Sequence, residues 1–223
     1  PGEKTWGYKN NDPNVYGPAE WGAQYPTCAG KRQSPIDIAV RSGCSASSTD
    51  DEKKTPSPLN VADKTYAMLQ FHLHAPSEHT LDGKVYDAEA HFVHTNADSS
   101  ELLVVGVFLE KKEGAKTDPW LTSVWNTLEA VNSTKSVAAK LGSYASLITK
   151  AADKKRVFNY AGSLTTPTCS EIVDWWVLQA PLQVSPADFD KFQSHLKRLP
   201  ATDRGRGARP VQPLNGRIVT AYN

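Results

Sequence analysis

Two short runs constrain this 223-residue chain more than any other feature. Gln70-Phe71-His72-Leu73-His74 and Glu89-Ala90-His91-Phe92-Val93-His94 both alternate polar and apolar residues. Side chains in an extended chain repeat every two residues, so each run reads as a half-buried strand. His72 and His74 then leave one face together, and Glu89 and His91 share a face of the other run. Three imidazoles from two paired strands suit a metal, and a zinc ion with three protein ligands keeps its fourth tetrahedral position open, as catalytic sites do. Gln70 is in phase with His72 and His74, and Glu89 with His91, so each offers an acceptor for the second N–H of a ligating ring. His79 directly follows Glu78, and His94 is an odd number of residues from His91. Alternation turns both away from the ligand face and assigns them structural roles.

A rival metal site uses the same residues. His72-x-His74-x-x-x-Glu78 has the spacing of a cupin's first metal motif, with Glu78 as a ligand and iron or manganese as the metal. That motif expects glycines before its first histidine and after its glutamate, where Tyr66 and Val85 stand here. Cupin remains the second reading of the metal site.

Composition narrows the partners. With 25 Lys and Arg against 24 Asp and Glu the formal charge is +1, which creates no field to gather nucleic acid or a membrane surface. The one basic cluster, Arg204, Arg206, Arg209 and Arg217, lacks interleaved aromatics and reads as solvated or structural. The best apolar run, Leu102 to Leu109, is strand-sized and far short of a membrane span. The chain begins at Pro1 with no charged-then-apolar leader, which fits a mature secreted chain or a trimmed one. Cys28, Cys44 and Cys169 allow at most one internal bridge.

We read 1–223 as one domain. Its first forty residues, rich in Trp, Tyr, Gly, Pro and Asn, form an irregular wrap packed by aromatics. Ser42 to Pro58 has the composition of a mobile surface loop. Three strands follow between Tyr66 and Leu109, joined by short turns and therefore antiparallel neighbours. Asp118-Pro119 caps a helix carried by Leu121, Val124, Trp125, Leu128 and Val131, and Ser185-Pro186 starts another with Phe189, Phe192 and Leu196 inward. Ile172 to Leu178 is a further strand. The pattern is α+β or mainly β: a sheet with peripheral helices.

Seven segments in order resemble the α-class carbonic anhydrases across nearly the whole chain. They are Trp6-Gly7-Tyr8, Gln33-Ser34-Pro35-Ile36-Asp37-Ile38, Gln70 to His74, Ser77-Glu78-His79-Thr80, Glu89 to His94, Gly162-Ser163-Leu164-Thr165-Thr166-Pro167 and Gln212-Pro213-Leu214. The resemblance implies a large twisted, mostly antiparallel central sheet with helices outside and the active site in a conical cavity. It implies Zn2+ on His72, His74 and His91, with Gln70 and Glu89 behind them, and hydration of carbon dioxide to bicarbonate and a proton by zinc-bound hydroxide. Thr165, donating to Glu78, would orient that hydroxide, which demotes Glu78 from ligand. Val93, Val104, Leu164, Thr166, Trp175 and Tyr8 would line the substrate pocket. Cys28 and Cys169 match the single disulfide of secreted members, and Cys44 is left free or available to a second molecule.

The chain departs from the family between Ile38 and Gln70, where it is shorter by roughly twenty-five residues. Either the protein is a shortened relative with a more open cavity, or residues are missing from this sequence. The histidine that ferries protons in the family falls in that stretch and has no counterpart here. An alternative function on the same scaffold is a non-catalytic binding, storage or mineral-associated protein.

Overall fold

The computed structural model describes residues 4–40, 64–128, 130–131, 141–152 and 156–222. The expected loop Ser42 to Pro58, and Cys44 within it, lie outside the described residues. The amino-terminal wrap holds only short regular pieces. β1 (Thr5–Trp6) pairs in parallel with β2 (Val15–Tyr16), and α1 (Trp21–Gln24), a 3-10 turn at Pro26–Ala29 and β3 (Asp37–Ile38) follow. Edge-on ring contacts among Trp6, Tyr8 and Trp21, with centroids 5.7 to 6.0 Å apart, do the packing that regular structure does elsewhere.

β4 (Ala67–His74), the short β5 (Thr80–Leu81), β6 (Ala88–Thr95) and β7 (Leu102–Lys111) come next, then α2 (Pro119–Leu128) and α3 (Ala145–Ala152). β8 (Val157–Gly162), β9 (Val173–Val184), α4 (Pro186–Lys197) and β10 (Thr220–Tyr222) complete the order. The main sheet has six strands, ordered β10-β8-β9-β7-β6-β4, and every pair is antiparallel except β7 with β9. β3 and β5 form a separate parallel pair.

Alternation divides the two faces of this sheet. Ala88, Ala90 and Phe92 of β6 and Leu103, Val105, Val107 and Leu109 of β7 join the core that includes Trp120, Leu121, Val124 and Trp125 of α2 and Phe189 and Phe192 of α4. Val93 of β6 and Val104 and Phe108 of β7 lie in a second cluster with Ile36, Ile38, Tyr160 and Trp175. β7 is buried on both faces, which is why its sequence is continuously apolar. Burying each such side chain contributes about 1.5–3 kcal/mol, so a frame shift in β6 or β7 would forfeit the cores on both sides.

The helix caps act as their residue types predict. Asp118 Oδ1 accepts from Trp120 N at 2.9 Å, and Ser185 Oγ accepts from Asp188 N at 3.2 Å. α2 ends at Leu128, short of Val131, and β9 runs to Val184, past Leu178. α3 and β8 are not assigned by the sequence reading. Each is brief, and each acquires its order from tertiary contact: α3 packs against β9, and β8 is stitched between β9 and β10.

Candidate active site

The register of β4 and β6 sets His72 directly opposite His91, and His74 opposite Glu89. Directly opposed residues stand about 5 Å apart, and the His72 and His91 ring centroids are 5.1 Å apart; His72 and His74, two apart on β4, are at 4.9 Å, and the diagonal pair His74 and His91 at 4.7 Å. One nitrogen from each ring lies within 4.8 Å of the others. His72 Nε2 and His91 Nδ1 are 3.3 Å apart, close to the roughly 3.3 Å expected of two nitrogens on one tetrahedral zinc.

Each ring's other nitrogen has an acceptor. His72 Nδ1 contacts Gln70 Oε1 at 2.9 Å, His74 Nδ1 contacts the Gly207 carbonyl at 2.7 Å, and His91 Nε2 contacts Glu89 Oε1 at 2.9 Å. With the proton on that rear nitrogen, the facing nitrogens carry bare lone pairs, so the short contact between His72 and His91 is not a hydrogen bond. Burial lowers the pKa of all three rings, of His72 to about 3 and of His74 well below the usual imidazole range, so they are neutral at pH 7. His74 Nε2 is buried and has no hydrogen-bond partner. A buried lone pair left over in a ring of three is what a cation site requires.

Glu89 is the anchor behind the rings. Its Oε2 accepts from the backbone N–H of Glu78 at 2.9 Å and of His79 at 2.8 Å, and its Oε1 meets His79 Nδ1 at 2.7 Å as well as His91. Burial alone would raise this carboxyl's pKa, but His79 and His91 hold it well below the usual range, so it is a carboxylate. Gly106 faces His91 across β6 and β7, and a Cβ there would come within 2.9 Å of Glu89 Oε1. This explains a glycine in the middle of an apolar strand.

His79 corrects the alternation argument. It does not turn away; it is fully buried, with its ring 4.7 Å from Trp175, and its Nε2 contacts Tyr160 Oη at 2.6 Å. Residues 75–79 are not an extended strand, so the period of two does not apply and neighbours Glu78 and His79 both serve the site. His94 does face away, to the Leu103 carbonyl at 3.2 Å and Tyr144 Oη at 2.6 Å. His195 is buried on α4, 3.3 Å from Arg198. All six histidines of the chain are thus accounted for, and each is held by a neighbour.

Glu78 lies beside the cluster, its Oε2 3.3 Å from His74 Nε2 and 3.9 Å from His91 Nδ1, while Oε1 accepts from Arg209 N at 2.8 Å. Burial pushes its carboxyl well above the usual range, with the Arg209 N–H and the Thr165 hydroxyl acting against that. Oε2 nonetheless has no partner of full hydrogen-bond geometry, so Thr165 stands near the carboxyl without closing a good bond. Thr165 is buried in a turn fixed by Leu164 N to Ser170 O at 3.0 Å and Cys169 N to Thr166 O at 2.8 Å. The Cys28–Cys169 disulfide, Cα to Cα 4.9 Å, ties that turn to the amino-terminal wrap. Val93, Val104 and Trp175 are buried together with Leu164 packed on them, and the Trp175 ring is 4.8 Å from His91. Thr166 is part-exposed. Tyr8 packs in the aromatic wrap, where burial raises its phenol pKa and Glu78 and Arg209 are the nearby charges.

The Gly207 carbonyl, Gly106, Arg209 and the Tyr160–Ser34 pair are absent from the sequence-derived site. A backbone carbonyl leaves no trace in residue type, but an isolated glycine in the run Leu102 to Leu109 was a readable signal. A second grouping with ligand potential, His79, Glu89 and His91, is already occupied by its own hydrogen bonds.

A family model for eukaryotic-type carbonic anhydrase matches residues 42–223. A carbonic anhydrase of Nostoc sp. is 34% identical over 242 residues, taking in 96% of this chain and 85% of the relative. That alignment is longer than the chain itself, so the relative has positions without a counterpart here. The α-carbonic anhydrase of Thermovibrio ammonificans, solved with the inhibitor sulfanilamide, superposes with a TM-score of 0.73 at 32% identity, covering 98% of this chain and 99% of that one. The fungal enzyme of Aspergillus oryzae gives 0.75 at 26% identity over 96% and 95%. The sheet is open and the family match over 42–223 is to carbonic anhydrase, so the cupin reading does not hold. From its sheet order and histidine cluster to these likenesses, the chain belongs to the α-carbonic anhydrase family of enzymes.

Proposed function

We propose that this chain catalyses the reversible hydration of carbon dioxide to bicarbonate and a proton, with zinc held by His72 Nε2, His74 Nε2 and His91 Nδ1. The observation that carries this is the convergence of three neutral ring nitrogens, one of them buried without a hydrogen-bond partner. Zinc bound there supplies a Lewis acid that brings the pKa of water to about 7, so that a hydroxide nucleophile exists at neutral pH.

The chain's own residues do the rest. Gln70, the Gly207 carbonyl and Glu89 hold the three rings in one tautomer and orientation. The Thr165 hydroxyl would donate a hydrogen bond to Glu78, which commits its proton and leaves an oxygen lone pair to accept from the nucleophile, so directing the nucleophile's lone pair toward the substrate carbon. Val93, Val104, Leu164 and Trp175 make an apolar rest for an uncharged substrate, and Thr166 and Tyr8 flank it. The intact histidine cluster favours catalysis over a storage or binding role. The disulfide is typical of an oxidising compartment, and we read the protein as secreted or otherwise extracytoplasmic. No helix among the described residues is long and apolar enough to cross a membrane.

The deciding experiment measures carbon dioxide hydration and metal content on the same preparation. One zinc per chain with hydration that disappears on chelation and returns with zinc is the expected result. A zinc-loaded protein without hydration would leave the non-catalytic reading standing.

A further inference from the structure

The segment closing the back of the histidine cluster is irregular. Residues 207–212 belong to no helix or strand, yet the Gly207 carbonyl receives His74 Nδ1 and the Arg209 N–H meets Glu78 Oε1. Coil has no ladder to hold two such atoms in place, so other bonds must. Gly207 N donates to Ala75 O and Gln212 N to Pro35 O, both at 2.8 Å. Between them the Arg209 side chain turns inward and is buried. Its Nη1 donates to Gln33 Oε1 at 2.8 Å and Ser34 O at 2.9 Å, its Nη2 to Cys28 O at 3.0 Å, and the guanidinium lies 5.6 Å from the Trp21 ring centroid.

Gln33 carries the connection onward. Itself buried, it donates through Nε2 to Cys169 O at 3.2 Å and Thr27 O at 3.0 Å, and to Glu171 Oε1 at 2.8 Å. Cys169 N is bonded to Thr166 O, in the turn that carries Thr165. One chain of bonds therefore runs from Glu78 through Arg209 and Gln33 to the Thr165 turn.

We infer that Arg209 and Gln33 form a clasp that sets the placement of Thr165 relative to Glu78, and are positioning residues for the hydration reaction. This rests on the reading of Thr165 and Glu78 as an orienting pair. The backbone N–H that reaches Glu78 survives any substitution of Arg209 except proline, so the side chain acts through position alone. Displacements of a fraction of an ångström matter at this range, because a misplacement of about 1 Å can cost on the order of a hundredfold in rate.

A double-mutant cycle tests it. Arg209→Lys keeps the charge and loses the two-pronged fork; kcat/KM, zinc content and the thermal midpoint are measured for it, for Thr165→Ala, and for the pair. Arg209→Lys should keep its zinc and lose about tenfold in kcat/KM, but less than twofold on the Thr165→Ala background, where orientation is already gone. Gln33→Met, which keeps the volume and removes both polar groups, takes the place of Arg209→Lys in the cycle if that variant does not fold. A loss that carries over undiminished onto Thr165→Ala, or single variants with unchanged kcat/KM, overturns the clasp. A zinc-loaded parent protein without hydration overturns the proposed function instead, and is seen before any variant is made.

Discussion

The two halves of the candidate site are built by opposite means. His72, His74 and His91 stand on β4 and β6, where one cross-strand register delivers all three. Glu78, Thr165 and Arg209 stand on coil, placed by bonds between residues far apart in the chain: Arg209 to Glu78 across 131 positions, Gln33 to Cys169 across 136, and the disulfide across 141. A ladder shares the work of positioning among many equivalent bonds. Coil concentrates it in a few buried ones. On the proposed roles, the histidine half should therefore depend on the histidines themselves, and the Glu78–Thr165 half on its scaffolding.

The sharpest test of that contrast is His91→Ala, which removes one ligand from the regular half. Hydration should fall to background and zinc should be lost with it; full activity in this variant would sink the ligand set. Thr165→Ala attacks the irregular half and should lower kcat/KM by about ten- to a hundredfold, or roughly 1.4–2.7 kcal/mol of transition-state stabilisation, while zinc content holds. Zinc loss in this variant would erase the distinction between the halves.

A smaller effect concerns the ligand strands without metal. Burial lowers the His72 pKa to about 3 in the folded chain, against about 6.5 unfolded. The unfolded chain then binds more protons between those values, so stability falls as pH drops from about 6.5 toward 3. Allowing for the partial exposure of His72, the metal-free protein should lose on the order of 1 kcal/mol between pH 6.5 and 5 from this ring alone. Denaturant melts of chelated protein at the two pH values measure it, and His72→Gln should flatten the slope. An equal slope in that variant would remove His72 as the cause.

The last test concerns proton export, for which neither half offers a histidine free of other bonds. Three histidines form the cluster, His79 and His94 are bonded to tyrosines and to Glu89 or Leu103, and His195 is buried on α4. A relay near neutral pH normally uses histidine. Small imidazole buffers should raise kcat, with kcat/KM for carbon dioxide nearly unchanged. A high kcat indifferent to buffer would assign proton export to another group.

Reading the chain alone reached the regular half with little loss. β4, β6 and β7, the caps of α2 and α4, and the phase shared by Gln70, His72 and His74 all follow from local alternation or capping chemistry. It failed where backbone left the extended state, as at His79, and where order comes from packing, as in α3 and β8. Thr165, Glu78 and the Cys28–Cys169 pair entered through resemblance, because neither a threonine before a threonine and proline nor a lone glutamate announces its partner.

What the sequence determined by itself was therefore the core strands β4, β6, β7 and the first half of β9, and which of their side chains share a face, since a period of two is a property of each strand alone. Only the tertiary structure decided that Gly207 O would take His74, that Arg209 would reach Gln33, Ser34 and Cys28, and that Gly106 would make room for Glu89. Those contacts join segments with no local signal for one another, and buried polar groups select them because leaving any one unpaired costs about 1–3 kcal/mol.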